Sequence, residues 1–197
     1  MAFGYLEGAV VVYLLYIVYP DGFIFPLRPV PPLLLAVEVG REIATLAMLV
    51  AAAYFPGGKG RLKFARFLYT FGLWDLFYYV ALRIVLGWPA SLFDWDILFL
   101  IPVPWLAPVS APAAVAALFI AVGAGGIWRR GEVTIKPWQW LLTGAGAFTI
   151  LATFFWNGDD DMTRKTPAPY PWLIFGAGFA ATAVAAASAF IRRKNGR

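Results

Sequence analysis

Charged side chains stand inside two long apolar stretches of this sequence. Glu38, Arg41 and Glu42 occupy the first stretch, and Asp75 and Arg83 occupy the second. A charge at membrane depth costs about 2.5–3.5 kcal/mol on insertion scales, so it is retained where it is paired, hydrated or functional. The two stretches therefore predict a polar site that they share.

Helical geometry lets these side chains meet. With 100° between successive residues, Glu38, Glu42 and Thr45 fall on one stripe of a helix. At about 1.5 Å per residue, Glu38 and Arg83 lie at similar depths on two antiparallel helices. We therefore predict a salt bridge between Arg83 and Glu38, with Asp75 at about the level of Glu42.

The next tract combines two aspartates with a run of prolines. Asp94 and Asp96 flank a tryptophan, and prolines follow at positions 102, 104, 108 and 112. Each proline in a helix interior costs roughly 3 kcal/mol, so we predict a proline-broken segment near 97–112 that faces the two charged helices. Its freed carbonyl groups need donors, and irregular backbone at membrane depth must be buried in protein or line a wet cavity. The donors expected nearby are Arg83, Trp105, Tyr78 and Tyr79, and water that enters past Asp94 and Asp96.

Two interpretations of these charges stay open. Paired charges can survive burial without a ligand, so the groups could form an ion network that only fixes helix packing. Alternatively, they line an outward-facing polar site between helices two and three that binds or transports a small polar or cationic ligand. The candidate ligand-binding residues are Glu38, Arg41, Glu42, Asp75, Tyr79, Arg83, Asp94, Asp96 and Trp105.

An enzymatic function is a further alternative. Asp94 and Asp96 have the D-x-D spacing of the acidic pair that holds a metal-bound phosphosugar in some membrane glycosyltransferases. On this hypothesis the pair would hold a divalent ion and Arg83 would contact a lipid or isoprenoid phosphate. Hard cations need several oxygen ligands in one place, so we assign no metal site from this pair alone.

The composition indicates an integral membrane protein. The 197 residues are 61% hydrophobic and only 14% charged, and no charged tract of domain size is left over. The chain has no cysteine and no histidine, which excludes disulfides, thiol nucleophiles, histidine-ligated haem and Ser-His catalysis. We expect one transmembrane domain over 1–197 and no cofactor.

Apolar runs predict an all-α fold with about six transmembrane helices. The first run lacks a basic flank and a small-residue cleavage site, so we expect it to be a retained helix rather than a signal peptide. Glycines and alanines in the last two helices favour close packing. The predicted helices span residues 5–19, 32–55, 67–87, 111–127, 137–156 and 171–191.

Basic residues set the expected orientation. Loops 56–66 and 128–137 and the C-terminus are rich in Lys and Arg, whereas the alternate loops are rich in aspartate. The positive-inside rule then gives N-in and C-in in a bacterial inner membrane, with multiple passes. The basic residues of these loops account for the net charge of +5. We therefore expect the lipid bilayer as a partner and no binding to nucleic acid. Whether the chain forms a homo-oligomer or binds a partner subunit stays open.

Four short patterns carry a resemblance to a known group of proteins. They are E-x-x-x-E at 38–42, G-x-W-D-x-F-Y-Y at 72–79, G-W-P-x-S-L at 87–92 and D-x-L-F-L-x-P-x-P-W at 96–105. Together they resemble a family of uncharacterised bacterial polytopic membrane proteins. The resemblance implies a membrane-bound bacterial protein and no particular activity. Binding or transport, lipid-phosphate chemistry, and a non-catalytic packing subunit of a membrane complex therefore remain the three hypotheses.

Overall fold

A computed structural model describes residues 1–18, 31–100, 104–156 and 168–191 of the chain. Six helices and one pair of strands lie in this part. The helices are α1 (Ala2–Val18), α2 (Pro32–Tyr54), α3 (Gly60–Leu86), α4 (Ser110–Trp128), α5 (Pro137–Phe154) and α6 (Trp172–Phe190). The strands are β1 (Trp95–Phe99) and β2 (Trp105–Pro108). Most of the predicted aspartate-rich loops, and the basic C-terminal tail, lie outside the described residues.

Local sequence explains where several helices begin and end. Pro32 and Pro137 stand at the first positions of α2 and α5, where the missing N–H leaves no hydrogen bond unmade. Gly87 follows α3 in the left-handed conformation that closes many helices. Among the described helices, α3, α4 and α6 are long and apolar enough to cross a membrane. The prediction of a membrane protein that is mostly helical is supported to this extent.

The start of α3 differs from the prediction. The basic stretch before residue 67 was expected to be a loop, but α3 begins at Gly60 and includes Arg61, Lys63 and Arg66. Lysine and arginine are good helix formers, and no proline interrupts this stretch. Charge therefore indicated the end of the membrane span and not the end of the helix. The predicted bounds of the second, fourth, fifth and sixth helices agree with the structure to within two residues.

The proline-broken tract forms a β-hairpin, so the fold is not all-α. β1 and β2 pair antiparallel, with Trp95 opposite Pro108 and Phe99 opposite Trp105. The prediction that 97–112 is not one continuous helix is confirmed, because α4 begins only at Ser110. Strand pairing satisfies backbone groups that a broken helix would have left without partners. The part of the predicted break at Pro102 lies outside the described residues.

The helices pack in two groups that the hairpin and α4 connect. α3 packs against α1, α2 and α4, while α5 packs mainly against α6. β2 contacts both α4 and α5, and α4 also touches α6. A core of buried residues joins β2, α4, α5 and α6. It contains Ala107, Ala111, Ile150, Phe154, Tyr170 and Phe175.

The basic segments meet at one end of the bundle. Arg61 at the start of α3 donates to the Val133 carbonyl at 2.9 Å, and Lys59 forms an exposed ion pair with Glu132 at 3.3 Å. Arg129 after α4 donates to the Phe190 carbonyl at 2.6 Å, at the last residue of α6. Two predicted cytoplasmic loops and the end of the last helix are therefore neighbours.

Candidate functional site

A cavity of about 330 Å³ lies inside the bundle. All six helices and both strands contribute to its lining. Its size is at the small end of the about 300–1,000 Å³ that is typical of ligand pockets. The charged residues that line it are Glu7, Glu38, Arg41, Glu42, Asp75 and Asp96. Acids thus outnumber bases around the cavity by four.

Arg41 is the centre of an ion network between α1 and α2. Its Nε donates to Glu38 Oε2 at 2.7 Å, one helical turn away, and its Nη1 forms an ion pair with Glu7 of α1. Thr45 Oγ1 also donates to Glu7, at 3.2 Å. Both carboxylates are buried, so one guanidinium compensates two charges that would be costly without it.

Glu42 holds the hairpin against α2. Both of its carboxylate oxygens accept the backbone N–H of Leu100, at 2.9 and 3.1 Å. Leu100 directly follows β1, where the strand ladder has ended and this N–H needs another acceptor. Glu42 lies ten residues into α2, about 15 Å along the helix from its first residue. The hairpin therefore reaches far into the bundle.

Tyr79 and Asp96 connect α3 to β1. The Tyr79 hydroxyl donates to Asp96 Oδ2 at 2.9 Å, and the backbone N–H of Ile97 donates to Asp96 Oδ1 at 2.9 Å. Both side chains are buried. Asp75 stands one turn before Tyr79 and lines the same cavity. In the part of the chain that the structure describes, Asp75 accepts no hydrogen bond, which makes it the carboxylate most available to a ligand.

Arg83 is not part of this network, and the predicted salt bridge with Glu38 is wrong. The Arg83 side chain is exposed, and its Nη1 donates to the carbonyls of Gly87 and Pro89, the second at 2.8 Å. Glu38 is paired with Arg41 instead. Equal depth along two helices does not give the direction in which each side chain points, and Arg83 turns to the backbone just beyond the end of α3.

Asp94 also lies away from the cavity. Its Oδ2 accepts the backbone N–H groups of Ala90 and Ser91, at 2.8 and 3.2 Å, and so stabilises the turn before β1. Asp96 has different partners, so the two aspartates do not converge on one point. No group of three or more metal-ligating side chains occurs among the residues described. The geometry gives the D-x-D metal hypothesis no support.

The hydrogen bonds from the hairpin to α2 and α3 differ from those expected. Freed carbonyls of this tract were predicted to accept hydrogen bonds from donors that include Arg83, Tyr78 and Tyr79. Instead, the Leu100 N–H donates to Glu42, and Tyr79 donates to the side chain of Asp96. The prediction that this tract faces α2 and α3 is confirmed, because its residues bond to both helices.

Aromatic rings continue the lining from α3 to α5. Trp74 lies 6.4 Å from Phe99, Phe99 lies 5.3 Å from Trp105, and Trp105 lies 6.3 Å from Phe154, as distances between ring centroids. Ring faces attract cations, most strongly when water is excluded. The predicted site residue Trp105 therefore lies in this row of rings, beside the carboxylates rather than among them.

A neutral hydrogen bond lies beside the part of the cavity lining that α5 contributes. Thr153 of α5 and the Tyr170 hydroxyl share a buried hydrogen bond of 2.8 Å. Burial raises the pKa of Tyr170 to about 12, an effect that the hydrogen bond with Thr153 opposes. The phenol therefore stays neutral over the physiological range. No charge develops on this side of the site.

Glu7 is the site residue that sequence reasoning missed. A single acid in the apolar run of α1 was a usable signal, by the same argument that singled out Glu38 and Asp75. Its partners Arg41 and Thr45 are more than thirty residues away, so no spacing pattern linked them. Seven of the nine predicted site residues line the cavity, and Arg83 and Asp94 do not.

Comparisons with family models, with curated proteins and with solved structures give no match for this chain. The resemblance that the four sequence patterns suggested stays a prediction. The chemistry of the site is therefore inferred from its own geometry.

Proposed function

We propose that this chain is a multi-pass bacterial inner-membrane protein that binds a small organic cation in its central cavity and transports it. The observation that carries the proposal is the lining itself, where five carboxylates face one guanidinium and a row of aromatic rings. A bound cation would offset part of this negative excess in surroundings of low dielectric constant. Aromatic faces would complement an organic ammonium group more than a bare metal ion.

Asp75 is the residue we assign to the cation. Glu7 and Glu38 are already paired with Arg41, Glu42 accepts the Leu100 N–H, and Asp96 accepts Tyr79 and Ile97. Asp75 alone in this set lacks a hydrogen bond among the described residues. Asp75 is half-buried and lines the cavity. A carboxylate without a partner in a largely apolar cavity is costly, and a cationic ligand would reduce that cost. The neighbouring carboxylates would add longer-range attraction.

The proposal includes six membrane-spanning helices with both termini in the cytoplasm. The meeting of basic segments 56–66 and 128–137 at one end of the bundle supports it. Charged side chains in α2 are compatible with a span because they face protein and one another. Cysteines placed at Gly58 and Gly131 should resist an impermeant thiol reagent added outside intact cells. Labelling from outside would reverse the orientation.

Binding is tested on protein purified into nanodiscs, with tetramethylammonium as the probe and calorimetry as the readout. We expect saturable binding, and we expect Asp75→Asn to weaken it at least tenfold because the assigned charge is removed. Asp94→Asn is the matched control, since Asp94 is outside the cavity, and it should bind as the wild type does. tert-Butanol, an uncharged molecule of similar size, should not bind.

Several outcomes would count against the proposal. Absence of tetramethylammonium binding, or equal binding by the Asp75→Asn protein and the wild type, would leave the ion network with a packing role only. Uptake of radiolabelled tetramethylammonium into proteoliposomes tests the transport step separately. Uptake no faster than in protein-free liposomes would restrict the function to binding.

A further inference from the structure

The cavity lining is divided by charge. Every charged lining residue comes from α1, α2, α3 or β1. The lining from α4, α5 and α6 is uncharged, and these three helices contain no Asp, Glu, Lys or Arg anywhere along their lengths. One side of the cavity is therefore suited to a charged group and the other side to hydrocarbon.

The uncharged side presents apolar side chains to open space. Val115 and Leu118 of α4 and Ala147 and Ile150 of α5 all face the cavity. Apolar surface that faces an unfilled volume gains nothing from packing, and covering it would contribute about 25 cal/mol for each Å². A ligand with a hydrocarbon portion would cover this surface, whereas a small hydrophilic cation would leave it bare.

The aromatic row connects the two sides. Trp74 of α3 stands next to Asp75 in the sequence, and Phe154 of α5 belongs to the buried core beside Tyr170. Phe99 and Trp105 lie between them in a continuous series of ring contacts. Asp75 and all four rings line the same cavity, so a ligand that extended from Asp75 towards α5 would lie along this aromatic lining.

We infer that the cavity selects an amphiphilic organic cation, with its ammonium group at Asp75 and its hydrocarbon portion against α4 and α5. This inference rests on the proposed function, because it takes the cation at Asp75 as given. The volume of about 330 Å³ suits a compact alkyl or aromatic amine. The apolar side of the cavity is then a specificity determinant.

The test compares two probes that share a head group, tetramethylammonium and hexyltrimethylammonium. Both are titrated into nanodiscs that contain the protein, and binding to protein-free nanodiscs is subtracted to remove membrane partitioning. We expect hexyltrimethylammonium to bind at least tenfold more tightly than tetramethylammonium. Asp75→Asn should weaken the binding of both probes.

A matched pair of variants on α5 tests where the hydrocarbon portion of the ligand lies. Ala147 lines the cavity, whereas Ala145 is exposed and is outside the lining. Ala147→Phe should remove most of the advantage of hexyltrimethylammonium and leave tetramethylammonium binding within threefold of the wild type. Ala145→Phe should change neither. Val115→Phe on α4 makes the same test if Ala147→Phe does not fold.

The outcomes separate this inference from the proposed function. If tetramethylammonium binds and the hexyl group adds no affinity, the amphiphile is rejected while the cation site stands. The same holds if neither Ala147→Phe nor Val115→Phe affects the longer probe. Binding of hexyltrimethylammonium that is indifferent to Asp75→Asn would also overturn the inference. If neither probe binds, the proposed function itself fails.

Discussion

α1 and α2 are joined by charged side chains, whereas α5 and α6 pack closely at glycines. In the first group the buried carboxylates of Glu7 and Glu38 share the half-buried Arg41, which compensates their charges in part. In the second group a Cβ added at Gly146 would lie 2.6 Å from the Gly178 carbonyl oxygen and closer still to Thr182 Oγ1. The backbones of α5 and α6 are therefore in direct contact.

The two pairs of helices are held together in different ways. Helices in an apolar medium gain little from the hydrophobic effect, so packing and polar contacts must hold them together. Close backbone contact gives a rigid pair with no room for a ligand between its helices. A charged network keeps side chains and space between helices, and so leaves a cavity at its edge. The cavity therefore has charged residues on the side of α1, α2 and α3 and an apolar wall on the side of α5 and α6.

The largest effect is expected when the charge of Arg41 is removed. Arg41→Met leaves Glu7 and Glu38 buried without a counter-charge, which should lower the free energy of unfolding by about 3–5 kcal/mol. Thermal unfolding in nanodiscs measures the loss. Adding Glu38→Gln should recover part of it, because the two changes remove interacting charges.

Arg83 supplies the control for this experiment, since it is another arginine of a charged helix. Its side chain is exposed and, among the described residues, is bonded to backbone carbonyls alone, so Arg83→Met should cost about 1 kcal/mol. Similar losses for Arg41→Met and Arg83→Met would show that the ion network does not stabilise the contact between α1 and α2.

A smaller effect is expected when the apolar pair is disturbed. Gly146→Ala places a methyl group against Gly178 and Thr182, and the overpacking should cost about 1–3 kcal/mol. Gly144→Ala is the control two residues away, where an added Cβ meets nothing within 4 Å. It should be neutral, or stabilising by up to about 1 kcal/mol because alanine favours helix. Equal thermal shifts in the two variants would mean that α5 and α6 do not pack as closely as described.

Sequence reasoning located most helices because their signals are local. Pro32 and Pro137 mark helix starts by their own conformational limits, and Gly87 marks an end. The prolines of 97–112 likewise excluded a continuous helix. They did not indicate a β-hairpin, because the strand pairing joins residues whose alternation of polar and apolar side chains is weak.

The site was predicted less completely because its contacts are not local. Hydropathy and helix length gave the depth of Glu38 and Arg83 but not the direction of either side chain around its helix. Arg41 therefore took the place assigned to Arg83 as the partner of Glu38. The pair of Arg41 with Glu7 depends on how α1 lies against α2, and one sequence contains no signal for that arrangement.

The length of α3 has a consequence for the membrane topology proposed above. Its 27 residues extend about 40 Å, whereas a bilayer's hydrocarbon core is about 30 Å thick. Tyr79, in the last third of α3, is bonded to the hairpin, and the other end of the helix carries Arg61, Lys63 and Arg66. In the orientation proposed above, the surplus length would lie at this basic end, at the level of the lipid phosphates, where anionic head groups attract cations. A change in bilayer thickness would pull on this end of α3 first, and through the rigid helix on the carboxylate at Asp75.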